Sequence, residues 1–355
     1  MFIKPVQFPQ DELAHDAIIE WWYFNGHLYD EEGNHYSFMD CLFKADNDRV
    51  ELPFLSKLPL KTIYFSHSLL SDITHQEFYP DINYLSVISK DSFSKPLLFV
   101  NYISPVNLTN YTNYVIEEPK PFEYSIKTDE FDLSMKSTKK PLLLGGNGFI
   151  NVHSKETYWY SITNLETEGT IKIKGKTIKV SGKSWMDRQW ADEKYSKDKW
   201  TWFSIQLEEN VEIACCEYDD GEVKTCFATV SNADGSQEHF NRVTLEPLAQ
   251  KWVSPQTKAE YTLSWRIVIS AKKIDLTVTP QMQNQEMVFG TINYWEGPLD
   301  VNGLYEGKKA HGQGFLELVG YCPKYNNVRF LKNTFVKTIA QAYSMLKKLG
   351  QTKIM

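Results

Sequence analysis

Along most of the chain, apolar and polar residues alternate in short runs separated by turn formers. Glu20 to Tyr29 reads as a strand, Asp30-Glu31-Glu32-Gly33-Asn34 as a turn, and Tyr36 to Phe43 as the returning strand of a hairpin. Lys61 to Ser71 gives another strand after a loop punctuated by Pro53 and Pro59. Pro80, Pro96, Pro105 and Pro119 divide the next stretch into short strands with long connections. Phe122 to Met135, Tyr158 to Leu165, Thr170 to Ser181 and Ser184 to Trp190 complete the first half. The second half repeats the pattern with Trp202 to Leu207, Val211 to Tyr218, Val223 to Val230, Tyr261 to Ser270, Ile274 to Thr279 and Gly314 to Tyr321. Strands in succession, with no helical period between them, predict antiparallel barrels or sandwiches rather than an α/β sheet. Only the tail has a helical stripe, at Phe335, Val336, Ile339, Tyr343 and Leu346, with Thr334 as its cap, which predicts a helix over 331–355.

The pattern also repeats at the level of residues. At an offset of 179, Trp21, Tyr23, Phe24 and Leu28 meet Trp200, Trp202, Phe203 and Leu207. Gly182-x-Ser-Trp-Met-Asp187 recurs as Gly312-x-Gly-Phe-Leu-Glu317, and Tyr158-Trp159 as Tyr294-Trp295. An internal repeat on this scale predicts two related domains, 1–190 and 191–330, joined at the charged segment near 188–199.

The 355 residues suffice for two cores, and aromatics, at 14%, suit sheets and apolar cavities. A net charge of −7 gives no basic surface for nucleic acid, and no run of 18 apolar residues is present. The first ten residues lack the apolar core of a secretory signal, so the expected location is the cytoplasm, or the periplasm or exterior if a leader has been removed. Cys41, Cys215, Cys216, Cys226 and Cys322 form neither a disulfide framework nor a zinc spacing, so ordinary thiols are expected. The histidines have no metal spacing, and no P-loop, nucleophile elbow or dinucleotide fingerprint occurs. Neither metal nor cofactor is therefore expected, and the oligomeric state is left open.

Four segments together resemble the AttH / carotenoid 1,2-hydratase (hydroxyneurosporene synthase) family. They are Glu20-Trp-Trp-Tyr-Phe-x-Gly26-x-Leu28, Phe65-x-His67-x-Leu69-x-x-Asp72, Gly182-x-Ser-Trp-Met-Asp187-x-x-Trp190, and Tyr294-Trp-Glu-Gly297 with Gly312-x-Gly-Phe-Leu-Glu-Leu318. The likeness runs over roughly residues 15–325 in the family's order. It implies two tandem lipocalin-like antiparallel β-barrel domains with a hydrophobic ligand at or between them. The hydratases resembled have an Asp-His-Asn-Trp sequence, with the aspartate as proton donor, followed by Tyr-x-Asp. Here these positions hold Asp187-Arg188-Gln189-Trp190 and Tyr218-Asp219-Asp220, so an arginine, which cannot exchange a proton near neutral pH, replaces the histidine. The pattern also pairs His67 with Asp72 as a loop-holding hydrogen bond.

The candidate acids are Asp187 and, ranked below it, Asp220 with Tyr218, since Asp-Asp-Gly is foremost a turn former. Strand alternation puts Trp185, Asp187 and Gln189 on one face and Met186, Arg188 and Trp190 on the other. Asp187 and Glu317 end equivalent strands, and a carboxylate repeated in this way favours a structural role for at least one of the two, while function requires only one. A junction cavity bordered by Trp185, Trp190, Trp200, Trp202 and Tyr218 is expected, with Arg188, Gln206 or Asp220 meeting a polar end of the ligand and Glu317 among the ligand-binding candidates. For most of the ten tryptophans, barrel core and rim is the better reading. Two functions remain: acid-catalysed, cofactor-independent hydratase, cyclase or isomerase chemistry on an isoprenoid or polyene, or a carrier that binds such a molecule without converting it.

Overall fold

The computed structural model describes residues 4–49, 60–103, 114–152, 155–193, 198–288 and 293–322. The helix expected over 331–355 lies outside them. The first sheet holds β1 (Ile19–Tyr29), β2 (His35–Asp46), β3 (Thr62–Asp72), β4 (Glu77–Ile88), β5 (Phe99–Ile103), β6 (Tyr114–Lys120), β7 (Glu123–Lys127), β8 (Phe131–Ser137), β9 (Leu142–Leu143), β10 (Phe149–Val152), β11 (Lys155–Ile173) and β12 (Lys176–Ala191). Of these twelve, β9 and β10 flank the start of β11, and the other ten close into an antiparallel barrel where the end of β11 pairs with β8.

The second half holds β13 (Lys199–Leu207), β14 (Val211–Asp219), β15 (Lys224–Ser231), β16 (Gln237–Phe240), β17 (Thr244–Pro247), β18 (Lys251–Val253), β19 (Glu260–Thr262), β20 (Trp265–Ile269), β21 (Ile274–Pro280), β22 (Glu286–Val288), β23 (Asn293–Tyr305) and β24 (Lys308–Val319). Its main sheet has ten strands, ending at β16 and β17, and β18 and β19 form a separate hairpin. The second sheet thus curls like the first without closing among the described residues.

Two of the expected strands divide differently. Phe122 to Met135 contains the turn between β7 and β8, and Thr170 to Ser181 is the hairpin of β11 and β12. The tip of that hairpin, Lys174-Gly175, has φ of 50° and 82°, the left-handed pair of a tight two-residue turn.

The sequence repeat is a structural one. β1 lies between β2 and β12, and β13 lies between β14 and β24. Tyr23 pairs across from Asp187 and Leu28 from Gly182, just as Trp202 pairs across from Glu317 and Leu207 from Gly312. The repeated glycines have one cause: a Cβ on Gly182 would lie 1.9 Å from the His27 carbonyl oxygen, and one on Gly312 would lie 2.3 Å from that of Gln206.

One equivalence is shifted by a residue. Trp159 pairs with Gln189 and Tyr294 with Val319, so Trp159 corresponds to Tyr294 and Ser161 to Glu296, rather than Trp159 to Trp295. A one-residue shift exchanges the faces of a strand, and similar aromatic pairs in sequence conceal it.

The two sheets pack face to face about this pseudo-twofold relation. Residues 179 apart meet across it: the Tyr23 and Trp202 rings are 5.4 Å apart, and the Asn25 amide donates to Ser204 Oγ at 3.3 Å. The His27 Nε2 to Gly314 oxygen and Gln206 Nε2 to Ser184 oxygen contacts, each 3.0 Å, are counterparts of one another. Apolar clusters line the first barrel, the seam between the sheets and the inner face of the second sheet.

The N-terminal segment plugs the first barrel. The Trp22 indole donates to the Glu12 carbonyl at 2.8 Å, and Phe8 packs edge-on against Tyr160. Arg188, fully buried, points into the same end. It pairs with Glu20, donates to the Leu13 carbonyl at 2.7 Å, and lies 4.0 Å from the Trp22 ring centre. Burial alone would raise the Glu20 carboxyl, but Arg188, His15 and Lys44 hold it down at about 2.

Removing one partner of a buried ion pair leaves an uncompensated charge. Arg188→Met is expected to lose about 3–5 kcal/mol in urea unfolding, and Glu20→Gln combined with Arg188→Met to regain much of it. A single variant within about 1 kcal/mol of the parent would show that this pair does not hold the plug.

Candidate functional site

Within the seam, each sheet contributes one row of side chains placed directly across neighbouring strands. The first row is Ser161, Asp187, Tyr23, Cys41 and His67, on β11, β12, β1, β2 and β3. The second is Glu296, Glu317, Trp202, Cys216 and Phe227, on β23, β24, β13, β14 and β15. Residues directly opposite share a face, so both rows point into the seam.

The rows are joined by hydrogen bonds and lined by rings. The Tyr23 hydroxyl donates to Glu296 Oε1 at 2.7 Å and accepts from the Asn25 amide at 2.9 Å. Asp187 Oδ1 accepts from the Trp185 indole at 2.6 Å and from Ser161 Oγ at 2.5 Å. Trp200 donates to Glu317 Oε2 at 2.7 Å, and Trp185 meets Trp202 edge-on at 6.4 Å. His67 Nδ1 lies 2.7 Å from the Tyr294 hydroxyl. Asp187 and Glu296 are buried, and Glu317 and Trp200 are partly buried.

Three carboxyls therefore share an aromatic enclosure, and among the described residues no cation acts on them. Burial pushes Asp187 up to about 7 despite the bonds from Ser161 and Trp185. Burial lifts Glu317 to about 7 as well, with Trp200 opposing and the Asp187 charge adding to the rise. Glu296, directly opposite Glu317, is held well above the usual carboxylate range by burial first and by Glu317 next. Burial brings His67 down to about 3, so its imidazole is neutral. The site thus offers protonated carboxyl groups near neutral pH, which is what general-acid chemistry on an apolar molecule requires.

The candidates read from the sequence fall in several places. Asp187, Glu317, Trp185, Trp200, Trp202 and Tyr218 belong to the seam. Arg188 and Trp190 do not: they face into the first barrel, where Trp190 stacks on His15 at 4.0 Å and on Tyr158 at 5.0 Å. Strand alternation is the reason, and it means that the arginine standing where the hydratases have histidine lies on the opposite face from Asp187. Gln206 lies farther along the seam, bonded to the Thr163 and Ser184 carbonyls, at an open groove of about 650 Å³. Asp220 accepts from the Glu222 and Val223 amides in its turn, away from the rows. His67 does not pair with Asp72, which is bonded to His75 at 2.9 Å, because five residues along a strand reverse the face.

Sequence reasoning missed Glu296, Tyr23, Ser161 and Tyr294 as site residues. Tyr294 and Glu296 carried one signal, a phenol and a carboxyl two residues apart on one strand face. Among the described residues no group of three or more His, Cys, Asp or Glu could hold a metal ion, and no helix is long and apolar enough to cross a membrane.

The family model described as AttH-like matches residues 3–321. The dehydratase asqC of Emericella nidulans is 25% identical over 62% of this chain and 65% of its own length. The kievitone hydratase of Fusarium solani subsp. phaseoli is 27% identical over 53% of this chain and 56% of its own. The chain therefore spans less than two thirds of the length of the curated relatives it matches. Among solved structures, an AttH protein of Nitrosomonas europaea superposes with a TM-score of 0.72 at 24% identity, covering 90% of this chain and 98% of that one.

The raised carboxyls set a pH dependence. Asp187 binds its proton more tightly folded than unfolded, so its contribution to stability is full below its ordinary value of 3.8 and is lost as pH rises through about 7. Asp187→Asn keeps the Oδ1 acceptor that both donors use and removes the titration. Its unfolding free energy relative to the parent should therefore rise between pH 4 and 8, by roughly 1.4 kcal/mol per unit of the shift at most. A difference that stays flat across that range in urea titrations would contradict a protonated Asp187.

Proposed function

The chain belongs to the AttH-like family, and from that premise we propose that it adds water to an apolar alkene, or removes water from the corresponding alcohol, in the seam between its two sheets. The observation that carries this reading is the gathering of Asp187, Glu296 and Glu317, without a cation, among Tyr23, Trp185, Trp200 and Trp202. One relative is named a dehydratase and another a hydratase; addition and removal of water are in general forward and reverse of one another, and both need an acid and a base.

In the hydration direction, neutral Asp187 gives its proton to the less substituted alkene carbon. The positive charge develops on the more substituted carbon, where the faces of Trp202 and Tyr23 stabilise it by about 1–2 kcal/mol in so dry an enclosure. Water attacks that carbon and loses a proton to Glu317, which is lifted to about 7 and so is part carboxylate near neutral pH. Proton return from Glu317 to Asp187 resets the site, and dehydration is the reverse sequence. Glu296, held protonated and bonded to Tyr23, fixes the geometry without competing for the transferred proton. The chemistry requires an acid, a base and an apolar enclosure, and this chain's own side chains supply all three. The substrate class is an apolar molecule with a trisubstituted alkene or tertiary alcohol, an isoprenoid being the natural form.

The test is incubation of the protein with prenyl-bearing aromatic compounds in ¹⁸O-labelled water, followed by mass spectrometry. The expected product carries one ¹⁸O, and Asp187→Asn is expected to slow its formation by about 10²–10⁴-fold. Binding without any labelled product would favour a carrier instead.

Two tryptophans separate site from core. Trp202→Ala should weaken binding of an apolar fluorescent probe, whereas Trp190→Ala should leave affinity unchanged and lower stability by about 3–5 kcal/mol. The opposite result would place the ligand inside the first barrel.

A further inference from the structure

The interior of the first barrel is apolar over most of its wall, but one sector is acidic. Asp40 on β2 lies directly across from Ser68 on β3, and Ser68 from Asp81 on β4. Leu42, Ser66 and Asn83 form the adjoining row. These side chains share a face with Phe38 and Leu70 of the barrel core, so they point inward. The turn between β7 and β8 adds Asp129 and Glu130, and β5 and β6 add Tyr102 and Tyr114. The Asn83 amide donates to Ser66 Oγ and to Asp81 Oδ2 at 3.2 Å each, and Tyr114 donates to Asp81 and Asp129 at 3.3 Å each.

Two acceptors in this sector are buried without a hydrogen-bond partner among the described residues: Asp40 Oδ2, in a residue 1% exposed, and Asn83 Oδ1, in a residue 2% exposed. The charges acting on Asp40 are those of Glu130 and Asp81, and those acting on Glu130 are those of Asp81 and Asp129. No cation is among them. Among the described residues, Arg188 and Lys44 face this interior, and both are engaged by Glu20 at the plugged end.

We propose that this sector is a second ligand site, distinct from the seam, which receives the ammonium group of a small organic amine. Asp40 Oδ2, Asn83 Oδ1 and the Asp81 carboxylate supply acceptors for its three N–H donors, and the Tyr102 and Tyr114 rings flank the cation. An organic cation is favoured over a metal ion because the carboxyls here do not form a metal-binding group.

Burial, then Glu130 and Asp81, push Asp40 up to about 8, so at pH 7 it is mostly protonated. An arriving ammonium favours the carboxylate, and the displaced proton goes to the buffer. Proton release on binding is therefore the signature of the site.

Isothermal titration with 2-phenylethylammonium chloride at pH 7, in two buffers of different protonation enthalpy, tests the proposal. The expected result is one site per chain, net proton release, and affinity at least about tenfold above that for 2-phenylethanol, its neutral counterpart. Asp40→Asn should lose both the proton release and about tenfold in affinity while still melting cooperatively. Asp187→Asn should bind the amine as the parent does, which separates this site from the reading of the seam. Should Asp40→Asn fail to fold, Asp81→Asn makes the same comparison. Equal affinity for amine and alcohol, binding unchanged by these barrel variants, loss of amine binding in Asp187→Asn alone, or displacement of the amine by calcium would each overturn it.

Discussion

The central strands of this protein are buried on both faces, and every other feature follows from that. β1 and β12 have the first barrel's interior on one side and the seam on the other, while β13 and β24 divide between the seam and the second sheet's core. A strand in that position has no solvent face to receive its polar residues. Each odd or even position is committed to one of two interiors, and a polar side chain there must find a partner or change its protonation state. Asp187 and Arg188 are neighbours in sequence and yet sit in different chambers for this reason.

The chambers treat buried charge in opposite ways. At the plugged end of the first barrel, Glu20 is ionised because Arg188, Lys44 and His15 surround it, and the network fastens the N-terminal segment. In the seam, Asp187, Glu296 and Glu317 have hydrogen-bond donors but no counter-charge among the described residues, so desolvation raises all three, Asp187 and Glu317 to about 7 and Glu296 well above the usual range. A paired carboxylate fastens the N-terminal plug; an unpaired carboxyl in a dry enclosure keeps its proton to higher pH. The pseudo-twofold relation strengthens the second effect by bringing equivalent acids from the two halves into one enclosure. Glu296, which faces Glu317 across the strands and corresponds to Ser161 in the other half, makes the enclosure asymmetric. An enclosure with distinguishable carboxyls can assign one to give a proton and another to take it.

Much of this was legible in the chain itself. The period-two alternation and the absence of helical periods between the strands pointed to an antiparallel fold, because side chains on a strand can face only two ways. The 179-residue repeat marked two related halves, and it survives as Tyr23 against Trp202 and Asn25 against Ser204. Parity along one strand separated Asp187 from Arg188 before any coordinates did. The AttH likeness of the repeated segments named the family that the whole-chain comparison shows.

Tertiary structure decided what parity cannot. Which face of β12 meets the seam is set by what packs against it, so Trp190 became part of the first barrel and Trp185 part of the seam. Registers between distant strands placed Glu296 opposite Glu317, shifted Trp159 onto Tyr294, and gave His67 a tyrosine in place of Asp72. Whether a sheet closes depends on its last pairing, and β11 meets β8 in the first half while β16 and β17 remain apart in the second. These outcomes rest on hydrogen bonds and contacts between residues far apart in sequence. A local pattern fixes the orientation of a side chain relative to its own strand, but only the assembled sheets determine what it faces.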